Sequence, residues 1–198
     1  MDLHLLYRDF GAAAFTLAPT SPERLLALLG AAHPQPIANP LPELHDHKEH
    51  AWSLQQSGSS DEAPLIICHS ASPTWSLALE VDGMTGWTGC APNALHTLSA
   101  AVGAVYSAYF DQEDARVLTA ADGGDLGGID AISGRRWGPL TSDAAQRLDA
   151  AGFHDAGISS ELSNAIHIDR LGAAFTAITG HSLDACLAGP GWIGAATG

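Results

Sequence analysis

Apolar positions along this chain alternate between a period of two and a period near three and a half, and the switches predict its elements. Residues 10–17 form a short apolar run read as a strand. A helix follows: Thr20 and Ser21 offer caps, Pro22 and Glu23 suit a first turn, and the leucine-rich RLLAL segment runs to Gly30. The stretch AHPQPIANPLP is a proline-broken loop, residues 43–56 suit a polar helix, and QSGSSDEAP is a flexible connection. Residues 31–63 are therefore the least regular part, a loop-rich insert.

Beyond the insert, PLIICHS has the length and β-branching of a buried strand. In WSLALEVDGMTGW, Trp75, Leu77, Leu79 and Val81 alternate with Ser76, Ala78 and Glu80, so a second strand beside the first is expected. Residues 101–110 alternate again, with Val102, Tyr106 and Phe110 against Val105 and Tyr109. The turn DQED and the return segment ARVLTAADG make a hairpin, and GGDLGGID extends it into a meander. The last third reads as helical. Thr141 or Ser142 caps a helix through Ala151 that stops at Gly152. A longer one over 164–179 places Ile168, Leu171, Phe175 and Ile178 on one face and ends at Gly180. This order predicts one α+β domain over 1–198, a mainly antiparallel sheet packed by helices, rather than alternating βαβ units.

Composition narrows the function classes. With 46% hydrophobic and 15% charged residues the chain has the makings of a packed core, which argues against disorder. Twenty-two acids against eight bases give a formal charge of −14. Lys48 is the single lysine and Arg135–Arg136 the only adjacent basic pair, too little to displace counterions from phosphates, so a nucleic-acid partner is not expected. An acidic surface favours encounter with basic partners. Cys68, Cys90 and Cys186 are odd in number and lack a CxxC pair, which predicts reduced thiols and a cytoplasmic setting. No convincing signal peptide opens the chain, and no run approaches the roughly 18 apolar residues of a membrane helix, so no membrane partner is expected.

Candidate chemistry is thinly spread. In LHDHKEHAW, the set His45, His47, Glu49 and His50 could ligate zinc or nickel from a helix. Lys48 stands where HExxH needs Glu, and Asp46 where HxxEH needs His. A solvated histidine-rich helix face is the plainer reading. GHSLD misses the nucleophile elbow, since Asp184 replaces its last glycine and a helix precedes it, so Ser182 reads as an N-cap. Cys68 and His69 are adjacent on a strand, point to opposite faces and cannot form a dyad. The glycines of DGGDLGGID read as turn residues, with no calcium-loop spacing. Glu80 and Asp82 read as a carboxylate pair at a strand end, on the solvated rim. Trp75, Trp87, Trp137 and Trp192 fall near strand ends, glycines or loops. GRRWGPL, with Arg135, Arg136 and Trp137, reads as a loop that could hold a partner by ion pairs and stacking. The binding candidates are thus Glu80, Asp82, Trp87, Arg135, Arg136 and Trp137; no catalytic set is complete and no cofactor motif is present.

The ordered set PERLLALLGA, WSLALEVDG, LSAAVGAVYSAYF with TAADGGDL, RRWGPL, AAGF and AFTAITGHSL resembles an uncharacterised actinobacterial family known only as a domain of unknown function. The resemblance covers most of residues 10–195, is weakest over 31–63, and implies a fold but no reaction. The expected function is a non-enzymatic acidic binding protein, an immunity-like inhibitor of a basic toxin or effector. The alternatives are a metal-dependent hydrolase built on the histidine set and a structural or regulatory homo-oligomer.

Overall fold

A computed structural model of the chain describes residues 1–56, 65–81, 87–154 and 164–196. Among these residues nine strands join in one antiparallel sheet of order β2-β9-β3-β4-β1-β5-β6-β7-β8, and seven α-helices pack on it. The α+β expectation holds.

The central strand is β1 (Ala13–Ala18), buried along its whole length between β4 (Ser76–Glu80) and β5 (Val105–Phe110). Its alternate residues feed two cores. Phe15 and Leu17 join Ile67 of β3 (Leu65–Ser70), Leu77 and Leu79 of β4, Phe110 of β5 and Val117 of β6 (Ala115–Ala120) on one face. That face is covered by α1 (Leu3–Phe10), Leu44 of α3 (Pro40–Gln56), Leu148 of α5 (Ser142–Ala150), α6 (Asn164–Thr179) and α7 (Leu183–Leu187). The opposite face carries smaller residues, with Ala18, Cys68, Ala78 and Val105 packed by Leu25 and Leu26 of α2 (Pro22–Leu28) and Leu95 and Leu98 of α4 (Pro92–Val102). Two covered faces explain why the strands hold so few charged positions.

Local signals account for most ends. Ser21, Thr141 and Ser182 each cap a helix by accepting from a backbone N–H three residues on. Gly152 and Gly180 have φ of 83° and 77°, the left-handed turn that stops a helix cheaply only at glycine. Ile168, Leu171, Phe175 and Ile178 of α6 do share the core.

Four elements differ from the sequence reading. Helix α1 begins at Asp2, whose carboxylate caps Leu5 N, and buries Leu3, Leu6 and Phe10. Residues 92–102 are helix α4, so the strand read from 101 starts at Val105. The last third is not wholly helical, because β9 (Ile193–Ala196) returns to the sheet between β3 and β2 (Gln35–Pro36). GRRWGPL contains strand β8 (Arg136–Trp137), paired to β7 (Gly127–Asp130). Gly128 of β7 works as a floor rather than a turn, since a Cβ there would meet Trp137 Cζ2 at 2.7 Å.

Cations tie the layers together. The last carbonyls of a helix lack backbone partners, and three side chains reach them from neighbouring elements. Lys48 Nζ donates to Phe10 O of α1 at 2.8 Å, and Arg24 Nη2 to Ala101 O of α4 at 3.3 Å. Arg147 donates through Nε to Ala177 O (2.6 Å) and through Nη2 to Ile178 O (3.2 Å) at the end of α6. Arg147→Met keeps the aliphatic stem and removes both bonds; urea denaturation is expected to show a loss of about 2 kcal/mol.

Candidate functional site

Glu80 ends β4 on the small-residue face, opposite Ala14 and diagonal to Thr16, whose partner on β5 is Ser107. It is 2% exposed, which corrects the reading of a solvated rim. Its oxygens accept the backbone N–H groups of Thr88 and Gly89, each at 2.8 Å, at the start of a single 3₁₀ turn, Thr88–Cys90. Ser107 Oγ donates to Gly89 O at 2.7 Å and lies 2.9 Å from Thr16 Oγ1. Burial pushes the Glu80 carboxyl above its ordinary range, and the N–H groups of Gly89 and Thr88 only partly oppose it. Burial, with the Glu80 charge beside it, pushes the Cys90 thiol up too. This polar set fastens the turn to the sheet and leaves no room for a substrate: a Cβ on Gly89 would fall on the Thr16 hydroxyl. Trp87 immediately precedes the turn and is half-buried; Asp82 lies outside the described residues.

Arg136 and Trp137 stand five strands away from Glu80, about 24 Å at ordinary strand spacing, so the binding candidates do not converge on one site. Arg136 is also committed internally. Its Nη2 donates to Asp149 Oδ1 at 2.6 Å and to the Phe153 carbonyl, fixing β8 to the end of α5. Trp137 is half-buried over Gly128, whereas Arg135 is exposed.

The histidine set is dispersed in the same way. His45 stacks on Phe10 with ring centroids 4.5 Å apart and lies 4.0 Å from Asp9. His47 Nε2 accepts from Leu65 N at 3.1 Å, tying α3 to the start of β3. Glu49 and His50 are exposed, and among the described residues no three His, Cys, Asp or Glu side chains are grouped to hold a metal. The helix expected at 43–56 is present, but His45 packs on Phe10 and His47 bonds to Leu65 N, and no shared ligand sphere forms among the described residues. Cys68 and His69 do take opposite faces, Cys68 under α2 and His69 against Trp192. The three cysteines are unpaired, and burial raises the Cys68 and Cys186 thiols, making them poor nucleophiles.

Sequence reasoning could not supply the disposition of charge. Besides Lys48, Arg24, Arg147 and Arg136, Arg170 donates through Nε to Ala131 O at 2.7 Å and lies over the Phe153 ring, while Arg8 pairs with Asp9 and Arg116 with Asp114. Seven of the eight basic side chains are thus engaged within the chain. Among the described residues Glu23, Asp122, Asp125, Asp143, Asp169 and Asp184 remain exposed. Clefts interrupt this surface. One of about 600 Å³ lies between α1, α5, α6 and α7, and one of about 400 Å³ lies between Tyr106, Thr119 and the Pro139–Thr141 segment.

Comparison with protein-family models, with curated proteins and with solved structures returns no match. The chemistry must therefore be read from the residues themselves, and two of them give direct checks. Gly89→Ala forces a methyl group onto Thr16, and calorimetry should show a loss of about 3 kcal/mol from overpacking. His69 is fully buried with neither ring nitrogen hydrogen-bonded, and its centroid is 3.9 Å from that of Trp192. Burial lowers its pKa, and the nearby carbonyls of Cys186, Ser70 and Pro190 offset this only in part. The unfolded chain therefore binds a proton that the folded chain refuses, and stability is full above the ordinary value of 6.5 and falls as pH drops below it. His69→Phe retains the ring contact, and denaturation midpoints measured from about pH 7 to about pH 5 should fall less steeply than in the native chain.

Proposed function

We propose that this chain is a non-catalytic, cytoplasmic binding protein whose acidic surface covers a basic protein partner, in the manner of an immunity-like inhibitor. One observation carries the reading. Lys48, Arg24, Arg147, Arg136 and Arg170 turn their cationic heads onto backbone carbonyls, and Arg8 and Arg116 onto neighbouring carboxylates. The chain carries a formal charge of −14, and Glu23, Asp122, Asp125, Asp143, Asp169 and Asp184 are exposed, whereas seven of the eight cationic heads are bonded within the chain. Such a surface accelerates encounter with a positive partner and rejects a negative one. Glu80 is taken up by the Thr88 and Gly89 N–H groups, and Ser107 by Gly89 O and Thr16, which supports binding over catalysis. Reduced cysteines support the cytoplasmic setting, and no described helix is long and apolar enough to cross a membrane.

The test is affinity capture from native lysate at low salt, followed by elution with rising salt and by the solution mass of the complex. Charge interactions reach about 10 Å at 0.1 M salt and about 3 Å at 1 M. A single basic protein in stoichiometric amount, released as salt rises, is the expected result. A partner held as firmly at about 1 M as at about 0.1 M salt would sink the reading, and a chain that meets only copies of itself would replace it with the homo-oligomer.

A further inference from the structure

We infer that the groove between α1, α5, α6 and α7 is where the partner docks, and that its occupant is an amphipathic basic helix; this rests on the acidic-binding reading above. The groove has a volume of about 600 Å³. Its floor is made of Ala150 and Ala151 at the end of α5 and Gly172 and Ala173 on α6. Small side chains on two helices let a third helix approach closely, whereas a flat or bulky floor would hold it off.

The walls give the occupant its charge. Asp169 stands on α6 with its side chain 69% exposed, meeting only the exposed His4 at 2.9 Å. Asp184 stands across the groove on α7, where Oδ1 accepts Leu3 N at 2.9 Å and the residue stays exposed. The end of α5 adds the negative pole of that helix. Arg147, itself exposed, also lines the groove, its guanidinium bonded to the Ala177 and Ile178 carbonyls, so the two carboxylates outnumber it by one charge. An apolar floor beneath two carboxylates fits a helix with small apolar residues on one face and lysine or arginine on its flanks.

The probe is a synthetic amphipathic helix with alanine and leucine on one face and lysine at its flanks, followed by fluorescence anisotropy at low salt. Asp169→Asn/Asp184→Asn is expected to weaken its binding about tenfold, the ordinary yield of two exposed ion pairs. Ala173→Trp, which fills the groove at unchanged net charge, is expected to weaken it at least as much. Glu23→Gln/Asp122→Asn removes the same charge elsewhere and should change it less than about twofold. Equal weakening by the two charge-removing variants, with Ala173→Trp unchanged, overturns the groove and leaves the general acidic reading standing. A native chain that does not bind the probe also overturns the groove, and salt-graded capture then decides the wider reading alone. Self-association that disappears in Ala173→Trp would make a second copy the occupant and overturn the proposal.

Discussion

Helix ends create the constraint on which the rest of this structure turns. Each α-helix leaves carbonyls without backbone partners, and where the end is packed against other elements, water cannot serve them all. This chain answers with side-chain cations: Lys48 at the end of α1, Arg24 at α4, Arg147 at α6, and Arg136 at the Phe153 carbonyl just beyond α5. These bonds do double duty. They satisfy carbonyls at or near helix ends, and each links an element distant in sequence, as Lys48 of α3 links to α1 and Arg147 of α5 to α6. The consequence for function is that most cationic heads are committed to partners within the chain, while carboxylates such as Glu23, Asp122 and Asp143 are exposed.

The two faces of the sheet divide the remaining work. Aromatic and long aliphatic side chains, Phe15, Phe110, Leu17 and Leu79, fill the side under α1 and α6. The other side holds Thr16, Ser76, Glu80 and Ser107, and such groups survive burial only when bonded. Ser76 donates to Thr20 O at 2.6 Å, Ser107 to Gly89 O, and Glu80 accepts twice from the 3₁₀ turn. A buried carboxylate beside a serine and a cysteine has the residue types of a catalytic site. Here Glu80 and Ser107 are bonded to the backbone of the 3₁₀ turn, so the same chemistry specifies how the turn seats.

Much of the fold was legible in the sequence because its signals are local. Ser21 with Pro22, Thr141 with Gly152, and Ser182 fix helix ends by bonds within a few residues, and the alternation of Leu77, Leu79 and Val81 fixes the face of β4 without help from the rest of the chain. Helix α1 was equally local, through Asp2 and the spacing of Leu3, Leu6 and Phe10, but it is short and abuts an apolar run that reads as one strand. Strands β8 and β9 were not legible. Each is only two to four residues long and exists because a distant partner accepts it: Gly128 makes space for Trp137, and β3 offers its edge to Ile193–Ala196. The candidate site was the least legible part. Glu80, Arg136 and His47 were singled out by residue type, yet exposure decides their role, and exposure depends on contacts across the fold.

The groove and the surface charge would then perform different tasks in one binding event. Exposed carboxylates outside the groove, such as Glu23 and Asp122, would raise the encounter rate of a basic partner without choosing its orientation. Apolar area excluded from water resists dissociation and is orientation-specific, and the small-residue floor formed by α5 and α6 lies in one place. Arg147 is exposed and lines the groove, and its bonds to the Ala177 and Ile178 carbonyls hold its guanidinium at the end of α6. Those bonds join α5 to the end of α6 and so stabilise the groove, while Asp169 and Asp184 at its walls would be what a basic partner meets.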